Sequence, residues 1–176
     1  DSNQLWEIDI KYIWVDGEDR FAYVCELIDV FDRNIVGYHI GLNCKAEDIS
    51  IMVETSFRER GLKVGEHNLS IRSDNGTQFT SYEFETKLIE LGIKHERIPN
   101  ATPNKNAHIE SFHSIMEMTF VRKYYFRRYQ ELYEKLYEFI LKYNYQRIHA
   151  GIGYLTPNEY YVLTQEGKIK KKPVAA

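Results

Sequence analysis

The sequence contains few residues that cross-link or interrupt a chain, with 2 cysteines and 4 prolines among 176 residues. Cys25 and Cys44 are isolated and form no C-x-x-C motif, which argues against a disulfide framework or a zinc site and favours a reducing compartment. No apolar run approaches the roughly 20 residues that cross a bilayer, and no signal peptide is recognisable. We also find no internal repeat and no low-complexity segment. These absences predict one globular domain with its own core.

An overall excess of basic residues is also lacking, because the formal net charge is −3. This alone argues against simple nucleic-acid binding, but the two halves differ in sign. Residues 1–99 carry a net charge of −8 and residues 100–176 a net charge of +5. Such a division fits a carboxylate site beside a surface that meets phosphate. A chance imbalance on solvated faces is the alternative interpretation.

Hydrophobic periodicity predicts three antiparallel strands followed by alternating helices and strands. In the first strand, apolar side chains alternate from Trp6 to Trp14 on one face, and Glu7, Asp9 and Lys11 lie on the other. The run from Phe21 to Phe31 is almost continuously apolar, as in a strand that is covered on both faces. The order βββ-α-β-α-β-α-α implies a mixed sheet with helices on its faces. The remaining elements are expected at 35–42 (strand), 46–60 (helix), 69–72 (strand), 84–91 (helix), 93–98 (strand), 107–125 (helix) and 129–145 (helix).

Capping and turn residues indicate where the helices begin and where ordered structure gives way to loops. Thr80 and Glu83 form one predicted capping box, and Thr156 and Glu159, with Pro157 between them, form a second that starts a short final helix. The Pro- and Asn-rich residues 99–106 indicate a mobile loop. We assign residues 1–165 to the domain and residues 166–176 to a basic tail. The absence of an initial Met predicts that the chain is part of a longer protein.

Three acidic residues occupy positions from which they can meet. Asp9 is in the middle of the first strand, Asp74 ends the fourth strand at an Asn75-Gly76 turn, and Glu110 lies in the first turn of a helix. Hard divalent cations prefer oxygen ligands, and two such ions can stabilise the attacking and leaving oxygens of a phosphoryl transfer. Without metal, the carboxylates would repel one another, so at least one pKa should be raised. An ordinary Asn-Gly turn with a polar shoulder is the alternative for Asp74.

Five motifs in order resemble the catalytic core of retroviral-integrase-type DDE transposases, with a 35-residue gap between Asp74 and Glu110. The last motif is similar to the bacterial insertion-sequence branch, whose transposase comes from the second of two overlapping frames. The motifs are WEIDIKY (6–12), LIDVFDRNIVG (27–37), SDNGTQF (73–79), NAHIESF (106–112), and YNYQRIH with GYLTP (143–149 and 153–157).

This resemblance implies an RNase H-like fold, with a five-stranded mixed sheet flanked by helices. It implies Mg²⁺- or Mn²⁺-dependent cleavage of transposon ends and strand transfer into target DNA, with Asp9, Asp74 and Glu110 as the catalytic and metal-binding triad. Two ions would be held when DNA is bound. A homodimer or larger assembly on DNA is expected, in the bacterial cytoplasm and associated with the nucleoid when active.

Several other residues are candidates for DNA contact. The segment 122–128 mixes basic and aromatic residues, as phosphate contact and base stacking require; a helix corner with core aromatics is the alternative. Asn106 is also a possible helix N-cap, and Arg147 and His149 could instead form a structural cap. Asp29 and Asp32 are assigned to a structural turn. The candidates for DNA contact are Asn75, Gln78, Lys105, Asn106, His113, Arg122, Lys123, Arg127, Arg128, Arg147 and His149.

Two positions depart from the pattern of the resembled family. Lys105 replaces an acidic residue before the third acidic motif, and Glu117 replaces a basic residue seven positions after Glu110. The histidines in His108-x-Glu110-x-x-His113 could suggest a transition-metal site, but contact with DNA or solvent is favoured. Two alternative functions remain: an RNase H-like nuclease acting on hybrids or junctions, and a domesticated, non-catalytic DNA-binding remnant.

Overall fold

The computed structural model describes residues 1–99 and 106–169 and contains one mixed sheet with helices on both faces. The strands follow the order β3-β2-β1-β4-β5, in which β1 to β3 form the predicted antiparallel meander and β4 and β5 add in parallel. The strands are β1 (Leu5–Val15), β2 (Arg20–Asp29), β3 (Ile35–Gly41), β4 (Ser70–Ser73) and β5 (Lys94–Arg97). The helices are α1 (Ala46–Glu59), α2 (Tyr82–Leu91), α3 (Ala107–Thr119), α4 (Tyr129–Tyr145) and α5 (Pro157–Gln165).

The sheet has two separate apolar cores because the helices cover different parts of its two faces. Trp6 and Ile8 of β1 pack with α1 and α2 on one face. Ile13 and Val15 of the same strand pack with α3 and α4 on the other face. The prediction of one apolar face along the whole strand is therefore wrong beyond Ile10. Tyr12 and Trp14 extend past α1 and are 55% and 39% exposed.

Two helix boundaries differ from the sequence-based expectation. The N-cap of α2 is Ser81, whose Oγ accepts a hydrogen bond from Phe84 N, so the capping box predicted at Thr80 is wrong by one residue. Helix α3 ends at Thr119 rather than near residue 125. Phe120 and Phe126 both lie in the core of α3 and α4. Six residues of an α-helix rotate by about 240°, so a continuous helix could not bury both rings on one side.

Other predicted features are confirmed. The capping box of α5 forms at Thr156 and Glu159, and Cys25 and Cys44 are free and buried. Asp29 is structural, because its carboxylate accepts hydrogen bonds from Trp6 Nε1 and from three backbone N–H groups.

Among residues 1–99 and 106–169, no helix is both long and apolar enough to cross a membrane. Lys105 and residues 170–176 of the tail lie outside the described residues.

Asn144 joins α4 to the edge strand β3. Its Oδ1 accepts from Ile35 N and its Nδ2 donates to Ile35 O, each at 2.9 Å. We predict that Asn144→Ala lowers the free energy of unfolding by about 2–4 kcal/mol, because two buried backbone groups lose their partners. Urea unfolding measures this, with the exposed Gln146→Ala as control. A loss no larger than that of the control would contradict the prediction.

Candidate active site

The register of the sheet brings Asp74 beside Asp9. Strands β1 and β4 are parallel, and Glu7 of β1 pairs with Arg72 of β4. Asp9 and Asp74 each follow a member of this pair by two residues. Strand β4 ends at Ser73, so Asp74 stands at the end of the strand, as expected. Asp74 is exposed, and its Oδ1 accepts a hydrogen bond from Gly76 N at 2.8 Å. The chain bends at Asn75, but the hydrogen-bonded turn spans residues 77–80 and neither Asn75 nor Gly76 has a positive φ, so the tight turn predicted at Asn75-Gly76 is wrong in its position. The contact from Gly76 N leaves the Asp74 carboxylate at the rim of the sheet.

Three carboxylates act on one another at this rim. Burial raises the pKa of Asp9, and the charges of Asp74 and Glu110 raise it further. The imidazole of His113 and the N–H of Ile10 oppose this shift. Glu110 is exposed in the first turn of α3. The expectation of a raised carboxyl pKa in the metal-free site is confirmed in direction, with burial as its largest cause.

The chemistry of these three side chains suits a hard divalent cation. All of their donor atoms are carboxylate oxygens, which Mg²⁺ and Mn²⁺ prefer. Within the described ranges, no three His, Cys, Asp or Glu side chains already stand close enough together to enclose an ion. His108, Glu110 and His113 likewise form no such group.

Glu7 holds the helix that carries Glu110, a role that the sequence analysis did not assign to it. Its side chain is 1% exposed. Its Oε2 accepts hydrogen bonds from His108 N at 3.0 Å and Ile109 N at 2.9 Å, and its Oε1 lies 3.0 Å from His108 Nδ1. These two N–H groups belong to the first turn of α3, which leaves them without partners in the helix. Glu7 therefore provides the cap that was expected from Asn106, whose side chain makes no capping hydrogen bond.

Arg72 completes the contact between Glu7 and the neighbouring strand. Its guanidinium lies 3.7 Å from Glu7 Oε1 and 3.0 Å from Glu96 Oε2 of β5. Burial raises the pKa of Glu7, whereas the Ile109 N–H and the charges of Arg72 and Arg33 lower it. Glu7 could not be selected from the sequence by its spacing alone. The one available signal was a glutamate on the same strand face as Asp9.

His113 lies between two carboxylates rather than on an open surface. Its Nε2 is 3.0 Å from Glu26 Oε2, and its Nδ1 is 3.6 Å from Asp9 Oδ2. Glu26 is fully buried and pairs directly with Asp9 across β1 and β2. Burial opposes protonation of His113, but Glu26 and Asp9 outweigh it and raise the pKa of the imidazole. A protonated His113 would link the two carboxylates and orient Asp9.

Glu117 is paired within the chain. Its carboxylate lies 3.0 Å from Lys11 Nζ and 3.3 Å from Arg122 Nε. These cations lower the pKa of Glu117, with the Lys11 hydrogen bond as the largest cause. Lys11 is on the same face of β1 as Asp9, so a positive charge is still present beside the site although position 117 is acidic.

The remaining candidates for DNA contact are distributed over four parts of the chain. Asn75 and Gln78 flank Asp74, and Asn75 Nδ2 donates to Ile98 O at 2.8 Å. Arg147 is exposed, and His149 packs edge-on against Tyr143. Asn106 is buried with its Oδ1 unpaired. Exposed cations follow α3 at its end remote from Glu110: Arg122, Lys123, Arg127 and Arg128. In the segment 122–128, Phe126 belongs to the core, whereas Tyr125 is exposed. The segment therefore contains a core aromatic residue, as in a helix corner, together with exposed residues that could contact DNA.

Comparisons with known proteins point to one family. Residues 1–103 and 91–157 each match a family described as an integrase core domain. The chain is 25% identical over 159 residues to the transposase for insertion sequence element IS904 of Lactococcus lactis, covering 90% of this chain and 61% of that protein. It is 27% identical over 158 residues to the putative transposase InsK for insertion sequence element IS150 of Escherichia coli, covering 90% and 54%. The chain therefore spans somewhat more than half the length of these relatives.

Solved structures agree on the fold. The catalytic core domain of HTLV-2 integrase in complex with magnesium, in a dimeric form, has a TM-score of 0.70 at 14% identity, covering 91% of this chain and 97% of that one. A chain of the simian T-cell lymphotropic virus intasome in complex with a PP2A regulatory subunit has a TM-score of 0.75 at 16% identity, covering 99% and 60%. The expected RNase H-like fold is thereby confirmed.

We predict that Glu7→Ala frees the N-terminus of α3. Loss of a capping carboxylate with two N–H partners should cost about 2–3 kcal/mol of unfolding free energy. Amide hydrogen exchange at His108 and Ile109 should accelerate more than exchange elsewhere in α3. The control is Glu47→Ala, which removes an exposed glutamate from the first turn of α1. Unchanged exchange at both amides would refute the capping role.

We also predict that Asp9→Asn stabilises the metal-free protein. Because the folded-state pKa of Asp9 is raised, its ionisation opposes folding, and this penalty is present above the folded-state pKa and disappears as the carboxyl is protonated. The free energy of unfolding at pH 7 should rise by about 0.5–2 kcal/mol, as is common when a destabilising functional group is replaced. This difference from wild type should shrink as the pH falls towards 4. Urea unfolding at several pH values measures it, with the exposed Asp19→Asn as control. A variant less stable than wild type at pH 7 would contradict this.

Proposed function

The chain belongs to the integrase core domain family, and from that premise we propose that it catalyses metal-dependent DNA strand cleavage and strand transfer. The substrates would be the ends of a mobile element and its target DNA. The observation that supports this most strongly is that Asp74, after β4, and Glu110, on α3, lie close enough to Asp9 of β1 for their charges to raise the pKa of its carboxyl. Relatives named as transposases for insertion sequence elements support the same assignment.

We assign the catalytic and metal-binding roles to Asp9, Asp74 and Glu110. Bound Mg²⁺ or Mn²⁺ would act as a Lewis acid on the scissile phosphate, with two ions present when DNA is bound. Asp9 and Asp74 would supply ligands from rigid strand positions, and Glu110 would supply a ligand from α3. His113 and Glu26 would orient Asp9, as hydrogen-bonded neighbours of metal ligands commonly do. Glu7 would set the distance between Glu110 and the two aspartates.

The surrounding charges suit a DNA substrate. The exposed cations Arg122, Lys123, Arg127 and Arg128 would position the phosphate backbone rather than read the sequence. Asn75 and Gln78, which follow Asp74 in the chain, would contact the DNA strand near it, and the exposed Arg147 would add a phosphate contact. We propose a homodimer or larger assembly on DNA as the working form; the catalytic core domain of HTLV-2 integrase, which has the same fold, was solved in a dimeric form.

A branched oligonucleotide that mimics a joined product tests the proposal on this chain. Strand transfer exchanges one phosphodiester for another, so its reverse requires only the active site and Mg²⁺ or Mn²⁺. We predict that Asp74→Asn lowers this rate at least about 100-fold, because the metal contributes several kcal/mol to transition-state stabilisation. Asp19→Asn removes an equivalent charge away from the site and should retain the activity. Equal rates for wild type and Asp74→Asn would refute the triad.

The products also separate the alternatives. Cleavage of RNA–DNA hybrids without any strand joining would favour a nuclease. Complete absence of both metal binding and catalysis, with DNA binding retained, would favour a non-catalytic remnant.

A further inference from the structure

A cavity with both polar and apolar walls lies along a different flank of the helix that carries Glu110. Its volume is about 350 Å³, and its walls include His108, Ser111 and Ile115 of α3. Arg33, at the turn between β2 and β3, and His149, after α4, line the same space. On a helical projection, residues 108, 111 and 115 share one side of α3, while residues 110, 113 and 117 share another. The cavity is therefore separate from the carboxylate site but adjoins it through one helix.

Two buried polar atoms on residues that line this cavity have no hydrogen-bond partner. They are Nη1 of Arg33 and Nε2 of His149. A buried donor or acceptor that remains unsatisfied costs about 1–3 kcal/mol, and a charged one costs more. Folded proteins therefore seldom keep such groups unless a bound molecule satisfies them. Two such atoms on residues of one cavity wall single out this cavity for a polar ligand, which would reach them after a rotation of the side chains because neither atom is accessible to water.

The charges around the cavity select an anion. Arg33 stays charged although burial lowers its pKa. Burial, Arg147 and Arg33 together lower the pKa of His149 to about 4, so this imidazole is neutral at pH 7 in a positive surrounding potential.

The acidic groups near Arg33 are already engaged. They are Glu7, Asp29 and Asp32. Glu7 binds the first turn of α3, Asp29 accepts backbone N–H groups, and Asp32 pairs with Arg60 at 2.9 Å. The guanidinium therefore retains hydrogen-bonding capacity for a further anion.

We propose that this cavity receives a backbone phosphate of the DNA strand that reaches Glu110. Arg33 would bind the phosphate through the N–H groups of its guanidinium, whose planar fork matches phosphate oxygens. The exposed hydroxyl of Ser111 and the Nε2–H tautomer of His149 would complete the contacts. The volume is at the lower end of ligand pockets and exceeds the needs of a single water, so a phosphate with part of its sugar fits. This assignment rests on the proposed function, because it takes DNA as the substrate.

Salt-dependent DNA binding tests the assignment. Wild type, Arg33→Gln and Arg58→Gln are titrated with a short DNA duplex at several KCl concentrations and without divalent cations. Arg58 is an exposed arginine of α1, paired with Glu54, and α1 packs on the opposite face of the sheet from α3. Arg33 has a positive φ of 68°, and Gln meets the same backbone requirement as Arg, so the substitution adds no new backbone strain there.

We predict that Arg33→Gln weakens DNA binding about 10- to 100-fold, the value of one charged hydrogen-bonded contact. The slope of log affinity against log salt should also fall in magnitude by about 0.9, because one phosphate contact is lost. Arg58→Gln should change neither quantity by a comparable amount. A purely structural role of Arg33 would not alter the slope, so an unchanged slope would overturn the phosphate site.

A second variant decides the matter if Arg33→Gln does not fold. Ser111→Glu places a carboxylate at an exposed position of the cavity wall and should weaken DNA binding more than Gln165→Glu, which adds the same charge on α5. Equal effects of these two variants would overturn the proposal.

Inorganic phosphate separates DNA from a free anion as the ligand. If phosphate raises the melting temperature of wild type but not of Arg33→Gln, while both bind DNA with the same slope, the site binds a free anion and the DNA assignment is wrong. A wild-type chain that binds no DNA would overturn this assignment and the proposed substrate together. If wild type binds DNA and joins strands with metal, but Arg33→Gln has the same slope of log affinity against log salt as wild type, only the phosphate site is overturned and the proposed function stands.

Discussion

The carboxylate of Glu7 joins the three segments that carry the proposed catalytic residues. It accepts two N–H groups from the first turn of α3 and lies beside Arg72 on the adjacent strand. Glu7, Arg72 and His108 each precede a triad member by two residues. On β1 that spacing returns to the same face, so Glu7 lies on the face of Asp9, whereas on α3 it places His108 and Glu110 on different sides of the helix. The position of Glu110 relative to Asp9 and Asp74 depends on this buried contact.

The carboxylate site stores unfavourable charge that the fold has to compensate. Asp9 and Glu26 are cross-strand neighbours, and His113 lies between them with a raised pKa. Lys11 and Glu117 form an ion pair at the next position along the strand. The acidic residue at position 117 therefore has an internal partner, which explains how this chain departs from the resembled pattern while retaining a cation near the site.

Local sequence patterns predicted the meander and the cap of α5, because each depends on periodicity or on residues within a few positions. They could not assign Glu7, whose partners lie about a hundred residues later, nor the exposure of Tyr12 and Trp14, which depends on where α1 ends over the sheet. His113 was selected as a DNA contact by its place in a motif, and only the tertiary arrangement brings it to Glu26. Arg33 had no signal, since its unpaired N–H appears only when three distant segments enclose it.

The central claim is that Asp9, Asp74 and Glu110 together bind a divalent cation. Crystals soaked in Mn²⁺ test it directly, because anomalous scattering locates manganese independently of any assay. We expect an anomalous peak within ligand distance of Asp9 and Asp74, approached by Glu110, and its loss in Asp74→Asn crystals. Manganese bound elsewhere, or no peak between these carboxylates at saturating Mn²⁺, would contradict it.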